Sequence, residues 1–136
     1  MISLLRRIPV PVRRALLVLA AAAIAFVSLW SHSNIEEHVP DEVQRCDYMI
    51  HAGCYLVLAA LALWSCGRRA RPWRSRLAVL AACFSYGLLM EVLQLLPIVA
   101  RSCSMKDVLD NLLGAAVGAL LLPPSLWPEV PESHER

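Results

Sequence analysis

The sequence predicts an all-α fold: a four-helix transmembrane bundle with short loops and both termini on the cytoplasmic side. Three observations lead there. Of the 136 residues, 58% are hydrophobic, more than the roughly 45–50% apolar share of soluble domains. The charged residues gather between the apolar runs rather than within them. The runs themselves approach the ~20 residues that carry a helix across a bilayer.

Residues 1–14 form a basic cytoplasmic segment with Arg6, Arg7, Arg13 and Arg14. Pro9 and Pro11 keep it from being one long helix. The first helix is predicted over about 12–30, on the unbroken apolar run 15–30. A rival reading is a cleaved leader with a basic start, an apolar centre and Ser31-His32-Ser33 as its small-residue site. The later topology works better with this helix retained. Residues 31–45 are polar and acidic, with Glu36, Glu37, Asp41 and Glu42 and with Pro40 as a breaker, and read as a loop. Asp47 opens the second helix, 47–66, because a carboxylate suits the positive N-terminal end. The loop 67–76 carries Arg68, Arg69, Arg71, Arg74 and Arg76. The third helix spans 77–99, broken near its end by Pro97. The fourth, 105–122, is the shortest, and so either spans thinly or packs strongly. These four make one membrane domain, 15–122. The tail 123–136 is Pro-rich and polar and is expected to be a disordered cytoplasmic segment.

The arginines set the orientation. The N-terminal segment and the loop 67–76 are basic and fall on the same side of a four-span chain. The positive-inside rule makes that side cytoplasmic. The loops 31–45 and 97–106 then face outward.

This topology gives the polar residues a common depth. The second helix carries Asp47, His51 and Tyr55 at i, i+4, i+8 along one side. The third ends with Glu91 and Gln94. Arg101 and Ser104 lie in the hinge, and the fourth helix follows with Asp107, Asp110, Asn111 and Gly114. At 1.5 Å per residue, His51 sits ~6 Å below Asp47 and Asn111 ~6 Å below Asp107. Each residue has a plainer reading. Asp47 and Asp107 suit helix starts, His51 suits a bonded core histidine, and Gln94 and Asn111 suit interhelical glue. Glu91 is hardest to explain so, because it lies inside an apolar helix with no cation one turn away. Arg101 and His51 are its candidate partners. An ionisable group inside a membrane helix marks a functional site by default. Gly114 and Gly118 form a GxxxG pair that suits close packing inside the bundle.

Taken in order, Asp47-x3-His51-x3-Tyr55, Glu91-x2-Gln94 and Arg101-x2-Ser104-x2-Asp107-x3-Asn111-x2-Gly114-x3-Gly118 resemble the VanZ-like family of integral membrane proteins. That family is named for an accessory protein of glycopeptide (teicoplanin) resistance. The resemblance covers roughly residues 45–122. Met90 stands where an acid often precedes the glutamate, and Tyr48 where a lysine often follows the aspartate. The resemblance implies a multi-pass protein of the bacterial inner (plasma) membrane with a role in the cell envelope. It implies no particular reaction.

Three functions fit the cluster better than transport, whose usual pointer is a helix broken near the midplane, whereas Pro97 lies at a helix end. In the first, Asp47, His51, Tyr55, Glu91, Gln94, Arg101, Ser104, Asp107 and Asn111 bind an amphiphile at the outer leaflet: a lipid, a lipid-linked precursor or a lipoglycopeptide. Arg101 would hold a phosphate or carboxylate with its planar fork. In the second, the protein is an enzyme with Asp47 and His51 as an orienter–base pair, Glu91 as a second acid or base, and Ser104 or Cys103 as nucleophile. In the third, the cluster only fixes helix register. No cofactor is expected. A metal held by Asp47, His51, Glu91 and Asp107 is the weakest version of the enzyme, and would suit a hard or borderline divalent ion. Basic stripes interleaved with aromatics are absent, which argues against nucleic acid. The five cysteines lack metal-site spacing. If the cluster converges, Cys46 and Cys103 reach one rim, where an oxidising compartment would permit a disulfide. Two free thiols are the simpler reading.

Overall fold

The structure, a computed structural model, describes residues 8–29, 41–67, 72–96 and 105–121, and of residues 41–48 the backbone alone. Among these residues four helices follow in order: α1 (Val10–Leu29), α2 (Asp41–Cys66), α3 (Trp73–Gln94) and α4 (Met105–Ala116), the last continued by a π-helical turn, Val117–Leu121. Among the described residues there is no strand. Three segments are long and apolar enough to cross a membrane: Val10–Leu29, Met49–Cys66 and Trp73–Gln94.

The helix limits follow from local chemistry. Pro11 does not delay α1, because it falls in the first turn, where its missing N–H has no helical partner to lose. That turn closes with Arg13 N–H on the Pro9 carbonyl at 3.2 Å. The second helix begins at Asp41 rather than Asp47. With 26 residues, α2 runs ~39 Å and outreaches the ~30 Å hydrocarbon layer. It ends at Gly67, whose φ of 56° is the left-handed cap a glycine adopts without penalty. Pro72, extended at φ −62° and ψ 138°, precedes α3, and its carbonyl accepts from Ser75 N at 3.0 Å and Arg76 N at 3.4 Å. The third helix therefore starts at Trp73, not Leu77. It stops at Gln94, before Pro97.

Four contacts fix the direction of the helices. Arg13 of α1 reaches Trp64 of α2, Gln94 of α3 reaches Ser28 of α1, His51 of α2 reaches Asn111 of α4, and Arg76 of α3 reaches Leu120 after α4. So α1 and α3 run one way and α2 and α4 the other. Round the bundle the order is α1, α2, α4, α3. The α2–α3 diagonal is short, whereas α1 and α4 scarcely touch.

The core is built from Tyr55, Leu58, Ala59 and Leu63 of α2, Cys83 of α3, and Ala115 and Ala119 at the end of α4. From α1 it receives Leu17, Ala20, Ala21 and Ile24. The parallel pair α2–α4 is the closest. A Cβ on Gly114 would overlap the Ala52 backbone, and one on Gly118 would lie 2.5 Å from the Leu56 carbonyl. Small residues allow such approach where no water-driven collapse between helices operates. The outer face is apolar, with Val18, Leu19, Phe26, Val27, Leu89, Val92, Leu109 and Leu113 exposed. The buried polar residues lie inside. That is the arrangement lipid demands.

Candidate functional site

Among the described residues, five polar ones are buried near one end of the bundle: Ser28 of α1, Glu91 and Gln94 of α3, and Asp107 and Asn111 of α4. Glu91 and Gln94 are each only 1% exposed. The buried face of α3 explains their position. Cys83, Gly87, Met90, Glu91 and Gln94 recur at spacings of three and four, so a face that points its thiol at the core points its carboxylate there as well. On α4 the same rule buries Asp107, Asn111, Gly114 and Ala115, while Asp110 is half-buried.

The bonds between these residues join helices rather than turns of one helix. His51 is half-buried, and its Nδ1 lies 3.3 Å from Asn111 Oδ1. An amide oxygen only accepts, so in that contact Nδ1 carries the proton. Gln94 donates its Nε2–H to the Ser28 carbonyl at 3.1 Å. Deeper in, Tyr55 is 2% exposed. Its ring lies 6.4 Å from that of Tyr86, centroid to centroid, at a tilt of 43°. The Tyr86 hydroxyl donates to the Ala21 carbonyl at 2.6 Å. Glu91 lies near enough to Tyr55 for the two to interact electrostatically. Among the described residues, the buried Tyr55 hydroxyl and Gln94 Oε1 have no hydrogen-bond partner.

Of the residues singled out in the sequence, His51, Tyr55, Glu91, Gln94, Asp107 and Asn111 thus fall in the interior half of three helices that meet at this end. Gly114 and Gly118 pack α4 against α2. The Asp47 side chain, Arg101 and Ser104 lie outside the described residues, and so does the rim where Cys46 and Cys103 would meet. Asp47 itself lies two turns inside α2, not at its start. Among the described residues no three His, Cys, Asp or Glu side chains come together as a metal site.

Sequence reasoning missed Ser28, Tyr86 and Gly87. Ser28 takes part through a backbone carbonyl, which leaves no trace in residue type. Gly87 had a signal, since it stands one turn before Glu91 on the same face. It also missed the opposite end. Arg13, 3% exposed, donates its Nε–H to the Ile8 carbonyl at 2.7 Å and its Nη1–H to the Trp64 carbonyl at 3.4 Å. Its guanidinium lies 5.4 Å from the Trp64 ring centroid. Arg76 Nη1–H donates to the Leu120 carbonyl at 3.0 Å.

An apolar exterior, helices able to span a membrane and carboxylates buried inside define an integral membrane bundle with a polar interior at one end. The model of the VanZ/LLP1 family matches residues 13–127, and the chain belongs to that family. No curated protein and no solved structure matches it significantly.

Proposed function

We propose that this VanZ-family protein binds the head of an amphiphilic envelope molecule at the outer leaflet of a bacterial inner membrane. The observation that supports this most is the burial of Glu91, Gln94, Asp107 and Asn111 at one end of a bundle whose exterior is apolar. Buried polar groups in lipid are costly and persist where they line a pathway or a site. The arginine-rich segments at the opposite end favour a cytoplasmic location for that end. The polar end then faces outward, and Arg101 supplies a fork for a phosphate or carboxylate. Asp47, His51, Tyr55 and Ser104 complete the proposed lining. Fusions of a reporter to the loop 67–76 test the orientation: a periplasmic signal there would invert it.

A second reading, an interhelical lock, is favoured by the Gln94–Ser28 and His51–Asn111 bonds. Purification in mild detergent followed by native mass spectrometry separates the two. Binding predicts a co-purified amphiphile that is lost from Arg101→Ala while the protein stays monodisperse. A lock predicts no amphiphile, and aggregation whichever buried member is removed. An enzyme would instead turn over a co-purified molecule and stop at His51→Ala with its fold intact.

A further inference from the structure

His51 has two ring nitrogens, and the fold commits one of them. Its Nδ1 lies 3.3 Å from Asn111 Oδ1, an oxygen that only accepts, so Nδ1 carries the proton. A neutral imidazole has one N–H, and the bond it makes decides which nitrogen keeps it. Nε2 is therefore the basic atom of the ring, and it faces away from that bond. The backbone sets this pairing. Asn111 is 3% exposed and lies one turn before Gly114 on α4. Gly114 rests on the backbone of Ala52, the residue after His51, and one turn on Gly118 rests on the Leu56 carbonyl. Two contacts made without side chains thus fix the register of α2 against α4, and they hold the amide beside the ring. His51 itself is half-buried and stands two residues inside Met49–Cys66, the part of α2 apolar enough to span a membrane. That is ~3 Å from the edge of the apolar segment, the depth of lipid heads.

Building on the amphiphile reading above, we propose that Asn111 is a positioning residue: it holds His51 in the Nδ1–H tautomer, so that the ring meets the amphiphile's head through the lone pair of Nε2. The sequence offers Asp47, one turn before His51, as the orienter. Asn111 orients the ring from another helix and does so without charge. A carboxylate in its place would favour the imidazolium, which donates from both nitrogens. A neutral amide selects the tautomer and leaves the ring its lone pair. The head that suits such an atom carries a donor, a hydroxyl or an N–H. Interhelical glue would need the same bond to Asn111 but would make no use of Nε2, and the test turns on that difference.

The test uses the full chain in detergent, with nitrogen-15 histidine and with His32, His38 and His134 changed to Gln, so that the ring signals are those of His51. Long-range proton–nitrogen correlation, at a pH where imidazole is neutral, reads which nitrogen is protonated. The expected result is a proton on Nδ1 and none on Nε2. A proton on Nε2, alone or together with Nδ1, overturns the proposal. In Asn111→Ala the ring should lose its single tautomer, and a ring that keeps Nδ1–H there overturns the proposal, because another group then holds it. Asn111→Asp should keep the proton on Nδ1 and raise the pH at which the ring titrates, as a carboxylate beside an imidazole does. An unchanged titration would put residue 111 out of reach of the ring and overturn the proposal as well. The second arm is native mass spectrometry of whatever amphiphile co-purifies. His51→Asn sets an amide N–H where Nδ1 stood, so it keeps a donor for Asn111 and deletes Nε2. It should melt as the wild type does, while the share of protein carrying amphiphile falls roughly fivefold, the worth of one hydrogen bond. An unchanged share makes the pair glue alone and overturns the role of Nε2. A wild type that carries no amphiphile sinks the amphiphile reading and the use of Nε2 with it, and the spectra then decide the tautomer by themselves.

Discussion

The two ends of the bundle use polar side chains in opposite ways. At the Arg13 end, arginines from the starts of α1 and α3 bond backbone carbonyls in the last turns of α2 and of the π-helical segment, at Trp64 and Leu120. The last carbonyls of a helix have no partner of their own, and they form its negative pole. Arg13 and Arg76 satisfy them and match the charge. Structural need accounts for both of these contacts. At the Glu91 end the buried polar groups come from helix faces, and two oxygens there have no partner among the described residues. Bundle stability does not explain those. The difference teaches where to look for function in such a chain: at the end where the polar atoms exceed what the helices require.

The largest expected effect tests whether the two ends share one rigid frame. Gly114→Leu would drive a side chain into the Ala52 backbone. It should cost about 3 kcal/mol or more, and size exclusion in detergent should show loss of the monodisperse species. Gly53, which has open space around it, is the control. Gly53→Ala should be neutral or raise stability by up to about 1 kcal/mol.

A smaller effect is expected at the capping end. Arg13→Ala removes two charged hydrogen bonds and the contact with Trp64, and should lower stability by about 2–3 kcal/mol. Arg13→Lys should recover part of this, since a lysine cannot reproduce the planar fork. Thermal melts in detergent measure both. Neither should change ligand binding at the other end. A loss of binding in Arg13→Ala at temperatures well below its melt would break the separation drawn between the ends.

The smallest effect sharpens the polar end. A double-mutant cycle on His51→Ala and Asn111→Ala should give a coupling of about 0.6 kcal/mol, typical of interhelical hydrogen bonds in membranes. A coupling several times larger would make this pair a lock and shift weight to the structural reading.

Much of this architecture is present in the sequence. Apolar runs separated by charged loops require helices, because in lipid each backbone group must be satisfied within its own segment. Helical periodicity puts Glu91 and Gln94 on one face and Asp107 and Asn111 on another, and alternating direction brings these faces to one end. The expected start of α2 at Asp47 shows the limit of that logic. The apolar run begins there, but backbone hydrogen bonding does not stop where apolar residues do, and the helix starts at Asp41. Only the tertiary structure decided that α2 lies between α1 and α4, that Gly87 makes room for the Tyr55 hydroxyl, and that Gln94 is held by Ser28. It also decided that Arg13 and Arg76 are caps rather than loop charges. The physical reason is common to these cases. Their partners are backbone carbonyls or the absence of a side chain, and neither is written in the type of any residue.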